Sequence, residues 1–266
     1  MSEELITTEQ LPQYLIDAIR PDGETGLEEM RSFLTPPMLK VVQAKRTDAY
    51  KPFAEGSVIV TPTNEIVCAK EGYFPFTVLY TYSQYCVHNS FARPEGLFTI
   101  RESTFDFNSE IAQKCRDFVT EPMPEDPTNP KMWIKYATHI NALIVIHGIP
   151  ALENIPVIFS QYLGAWKSGR RMLDLLNART GLSHTPIYCH NLMAHQVNLK
   201  SKENDWEGLD ISNPTADVDV GKYVTAEQLV KYKELHDMLK ADRDRLVVNY
   251  EDEVPQDNGA VESDTL

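Results

Sequence analysis

Residues 73–91, YFPFTVLYTYSQYCVHNSF, hold seven aromatic side chains and not one Lys, Arg, Asp or Glu. A stretch that is aromatic, β-branched and roughly alternating reads as a strand whose rings mostly fill a core. It commits the chain to a sheet. Strand-like segments recur on both sides of it, at 38–45, 57–61 and 65–69 before, and at 132–138, 140–147, 186–200 and 206–211 after. The pair 132–138 and 140–147 reads as a hairpin or two buried strands, Pro62-Thr63-Asn64 as a turn, and 201–204 as a polar turn. Helical periodicity marks four other places. Thr8 caps an expected helix through Leu11, Leu15 and Ile19, and a second short helix over 28–33 completes an N-terminal arm, 1–34. A short helix at 109–118 sits inside an insertion, 102–130, whose second half is proline-rich and acidic. In 156–179 the apolar run Val157-Ile158-Phe159 leads into a helix with Leu163, Trp166, Met172, Leu173 and Leu176 on one stripe. The last helix, 225–246, opens with Thr225 and Gln228 in capping-box spacing. The expected fold is mainly β with helices (α+β): an OB-like antiparallel barrel with peripheral helices over 35–214, then a C-terminal helix in 215–248 and a disordered acidic tail, 249–266.

Charge is distributed against its own average. The chain carries a formal net charge of −14, yet residues 131–202 contain eight basic side chains and only two acids, Glu153 and Asp174. The tail holds six acids (Glu251, Asp252, Glu253, Asp257, Glu262 and Asp264) and no Lys or Arg. A basic centre interleaved with aromatic rings is the composition that single-stranded nucleic acid requires, because phosphates need cations and bases need flat faces to stack on. Lys131 and Lys135 flank Trp133; Tyr162 and Trp166 precede Lys167, Arg170 and Arg171; Tyr188 and Trp206 lie near Lys200 and Lys202. These twelve residues are the candidate nucleic-acid site. The tail is a candidate dock for replication or transcription polymerases, and a flexible polyanion that competes with DNA for the basic surface.

Catalysis finds less support. The chain has no GxxxxGK[ST], no GxGxxG after a strand, no GxSxG and no HExxH. Four scattered cysteines without a CxxC fit reduced thiols in a cytosol. Cys86 with His88, or Cys189 with His190 and His195, could be imagined as zinc ligands, but their spacings match no knuckle or finger, so buried thiols and satisfied histidines are the expectation and no cofactor is expected. There is no signal-peptide pattern at the start and no apolar run near the ~20 residues of a membrane span, so a cytoplasmic protein is expected.

Several segments also resemble a group of tailed-bacteriophage proteins that are often described as single-stranded DNA-binding. They are Thr35-Pro36-Pro37 with Lys40-Val41-Val42-Gln43, the run 56–63 (GSVIVTPT), Lys167-Ser168-Gly169 followed by Leu173 and Leu176, Pro186-Ile187-Tyr188, and the run 206–214 (WEGLDISNP). The likeness spans roughly residues 33–214 and implies an OB-like fold and a non-enzymatic role in coating phage DNA during replication or recombination in the infected cell. Phage proteins of this kind often close an acidic tail on an aromatic residue, whereas this chain ends Asp264-Thr265-Leu266. Two other readings stay open: a regulator that binds a host or phage polymerase, and a metal-dependent nuclease or recombination enzyme.

Overall fold

A computed structural model of the chain describes residues 37–44, 50–89, 100–124, 127–128, 133–200, 205–215 and 221–241. The N-terminal arm and the acidic tail lie outside the described residues, as do Lys131 and Lys202. The aromatic stretch becomes β4, Tyr73–Asn89, a 17-residue strand. Before it come β1 (Met38–Val41), β2 (Val58–Thr61) and β3 (Glu65–Cys68); after it come β5 (Ile100–Thr104), helix α1 (Glu110–Arg116) and β6 (Thr120–Pro122). Next are β7 (Trp133–Ile146), β8 (Val157–Gln161), helix α2 (Trp166–Ser183), β9 (Asn191–Lys200), β10 (Asp205–Ser212) and helix α3 (Ala226–Ala241).

All ten strands join one sheet in the order β10-β9-β4-β7-β8-β1-β2-β3, with β5 added to β4 and β6 to β7. The fold is thus mainly β with helices. Neighbours run antiparallel except β1 and β8, which meet in parallel at Met38 and Ile158. Two expectations change. The segments 132–138 and 140–147 form the single 14-residue strand β7, because Thr138-His139-Ile140 carries no turn-forming residue and pairs with β4 throughout. Segment 186–200 opens with a 3-10 turn at Ile187–Cys189, and its strand begins only at Asn191.

A bulge in β4 shapes the centre of the sheet. The β4–β7 register steps from Val78↔Ile144 to Tyr80↔Leu143, so Leu79 is the extra residue. A bulge bends and twists its strand and reverses which alternate side chains face which way. Before it, Phe74, Phe76 and Val78 join the main core with Ile144 and Ile146. Beyond it, Tyr82 packs on the opposite face with Leu143 and Ile158, while Tyr85 and Val87 return to the inner face with Ile134 and Tyr136. The curl brings β10 round towards the end of β1. There the Gln43 side-chain amide donates to the Glu207 carbonyl at 2.8 Å and accepts from the Glu207 N–H at 3.0 Å, copying a strand pair.

Helices cover both faces. Met172 and Leu176 of α2 enter the inner core, α1 places Ala112 and Cys115 over the far end of β4 and β7, and Tyr232 of α3 sits with Leu79, Val145 and Tyr188 on the outer face. The expected capping box is formed: Gln228 N–H donates to Thr225 Oγ1 and Thr225 N–H donates to Gln228 Oε1. No helix among the described residues is long and apolar enough to cross a membrane.

Candidate functional site

The site follows from how α2 lies on the sheet. Gly169 allows the approach, since a Cβ there would stand 2.7 Å from the Gln161 Cβ and 3.2 Å from the Ile140 Cβ. With Met172 and Leu176 turned into the core, Leu173 is left at the helix flank, half-buried. Opposite it, the 105–118 segment brings Phe105, Phe107 and α1 over the same part of β4. Between the two walls lies a groove of about 290 Å³. Thr81, Ser83 and Ile140 form its floor, Leu173 one side, and Tyr82, Tyr85, Phe105 and Phe107 the other.

The sheet itself opens this groove. β4 is paired with β9 along Tyr73–Thr77 and with β5 along Tyr85–His88, and between those ladders the same edge has no strand partner among the described residues. Residues on both sides of that edge, Tyr82 and Ile140 among them, therefore reach one cavity.

Its walls carry rings and cations together. Phe107 is 59% exposed, makes an edge contact with Tyr85 at 6.4 Å between ring centroids, and lies under the Arg116 guanidinium at 4.2 Å. Arg116 also donates to the Phe107 carbonyl at 2.7 Å and to the Gln113 side chain at 2.8 Å, so the arginine holds the ring's position. On α2, Arg170 stands one turn before Leu173 and Trp166 one turn before Arg170. Trp166 meets Phe118, which is 69% exposed, edge-on at 6.2 Å, so the two walls touch at the start of α2.

The expected site residues do not form one cluster. Trp166, Lys167, Arg170, Arg171 and Trp206 gather round the start of α2: Arg171 reaches Asp210 of β10 at 3.1 Å, and a Cβ on Gly164 would meet the Trp206 ring at 2.6 Å. One face of Trp206 is covered in this way, and its buried Nε1 has no hydrogen-bond partner. Arg170 pairs with Asp174 at 3.3 Å and Lys200 with Asp205 at 3.9 Å, whereas Lys167 is exposed and in no ion pair among the described residues. Exposed pairs of this kind contribute no more than ~1 kcal/mol, so a phosphate can replace the carboxylate at small cost. Trp133 and Lys135 lie at the start of β7, where β6 pairs with it.

The other two aromatics lie elsewhere. Tyr162 is flat against the His139 imidazole, 4.2 Å between centroids and 4° between planes. Tyr188 is buried in the outer core with Tyr232 and packs on His236 at 5.0 Å. Neither faces the groove. The residues that do line it, Tyr82, Tyr85, Phe105 and Phe107 with Arg116 beside them, do not stand out in the sequence for two reasons. The first two belong to a stretch whose aromatics read as core, and the others fall in an apparent insertion outside the basic window. The Phe105-Asp106-Phe107 repeat was the available signal.

Comparison with protein-family profiles, with curated proteins and with solved structures finds no match.

Proposed function

We propose that this chain binds single-stranded DNA without strong sequence preference, as an OB-like, non-enzymatic protein of phage DNA replication or recombination, and that the strand lies in the groove between α2 and Phe107. The observation that carries the reading is the groove's composition: half-buried Phe105 and exposed Phe107 on one wall with Arg116 over the Phe107 ring, and Arg170 one turn before Leu173 on the other. Bases stack on such rings whatever their identity, each contributing ~1–3 kcal/mol, while cations on both rims follow the backbone. The likeness read in residues 33–214 to tailed-phage proteins that are often described as single-stranded DNA-binding is what directs the proposal to DNA.

Fluorescence anisotropy of a labelled oligo-dT and of its duplex, each titrated with protein at low and moderate salt, tests it. Single-strand binding that weakens with salt is expected, with the duplex bound more weakly. Phe107→Ala should reduce affinity by about 10-fold or more, the loss of one stacked base. Absence of binding to either DNA overturns the proposal, and full affinity in Phe107→Ala moves the site elsewhere.

A further inference from the structure

On the face of the sheet opposite Ile140, three metal-ligating side chains converge. Cys86 and His88 are two apart on β4 and so share a face, and His139 reaches them from β7. The ligand atoms of all three lie within 4.8 Å of one another, and the residues are 0%, 1% and 0% exposed. The two imidazoles meet through their Nε2 atoms at 2.8 Å, with ring planes 12° apart and centroids 5.0 Å apart, so they are edge to edge. Tyr162 closes over them, nearly parallel to both rings.

We propose that Cys86, His88 and His139 form a binding site for a borderline-soft divalent cation, with Zn²⁺ the ion the donors suit. Thiolate and imidazole are both ligand types of that ion, and three protein ligands leave its fourth position unfilled by the chain. No further His or Cys among the described residues joins the cluster. Zn–N bonds of ~2.0–2.1 Å place two nitrogens of a tetrahedron ~3.3 Å apart, so the rings must part by about half an ångström. On binding, the Cys86 thiol gives its proton to solvent, and each imidazole keeps its one proton on Nδ1 so that Nε2 faces the ion. One thiolate leaves a net single positive charge in the pocket, which a metal-bound hydroxide would offset.

The proposal does not rest on the DNA groove, none of whose lining residues is a ligand here. Untagged protein purified without chelator should contain about one zinc per chain by mass spectrometry. Replacement by Co²⁺ should produce a near-ultraviolet thiolate-to-cobalt charge-transfer band that Cys86→Ser abolishes, with near-ultraviolet circular dichroism confirming that the variant is folded. X-ray absorption of the wild-type zinc protein needs no variant, and one sulfur with two imidazole nitrogens is the expected shell. Protein that carries no zinc and takes up neither Zn²⁺ nor Co²⁺ overturns the proposal, leaving a hydrogen-bonded histidine pair beside a reduced thiol. A shell without sulfur, or a cobalt band that survives in Cys86→Ser, overturns it equally.

Discussion

Glu207 shows how much one side chain can hold in place. It is 3% exposed, accepts from Lys70 at 2.8 Å, from Asn198 and from Gln196, and its backbone is clasped by Gln43 where the sheet curls on itself. Burial pushes its pKa up, but the hydrogen bonds from Lys70, Asn198 and Gln196 and the Lys70 charge outweigh it and leave the carboxyl below its ordinary 4.5. A carboxylate lowered by folding contributes its stability above the unfolded pKa and loses it as pH falls through the lowered one. Glu207→Gln should therefore cost about 2 kcal/mol at neutral pH, the scale of hydrogen bonds to a buried charge with a half-exposed partner. In urea unfolding series, the gap between variant and wild type should close below pH 4.5. A gap that persists unchanged in acid would mean the carboxylate charge has no part in it.

At the scale of elements, the two long helices are held by different means. α2 is pressed on the sheet through Gly169, so Gly169→Ala sets two effects against each other. Alanine favours a helix by ~1 kcal/mol over glycine. The added methyl, however, meets two Cβ atoms that cannot rotate away, at 2.7 and 3.2 Å. Overpacking of this kind costs typically 1–3 kcal/mol, so net destabilisation of about 1 kcal/mol is expected, read as a lower denaturation midpoint. The helix α3 exposes Leu229, Val230 and Met238 and anchors through Tyr232, which is 1% exposed. Tyr232→Ala should cost about 3 kcal/mol and raise hydrogen exchange along α3 before the sheet responds.

For the whole molecule, a net charge of −14 opposes any polyanion, so binding must rely on local cations at short range. With Arg116 and Arg170 beside the groove, the slope of log affinity against log salt should be about −1.4 for a single strand. Removing residues 249–266 takes away six acids and should tighten DNA binding at low salt, with the difference vanishing as salt rises. Equal affinity of full-length and truncated protein at low salt would remove the tail as a competitor.

The sequence by itself determined the elements that rest on local chemistry. The uncharged aromatic run had to be a strand because its rings need a core, the short helix at 109–118 is present as α1, and the Thr225–Gln228 box starts α3. A mainly β fold with helices was legible from the same periodicities. Tertiary structure alone decided what these elements bring together. The bulge at Leu79 reverses the faces of β4, a change that alternation cannot reveal because the extra residue is defined only by the register with β7. The unpaired edge of β4 between its β9 and β5 ladders opens the groove between α2 and Phe107, and the register of β4 with β7 lets residues of both strands reach it. That register also sets His139 beside His88, which is 51 residues distant in the chain. Spacing along a sequence records only local ligand pairs. Convergence across strands comes from hydrogen-bond register, which is set by the packing of the whole sheet.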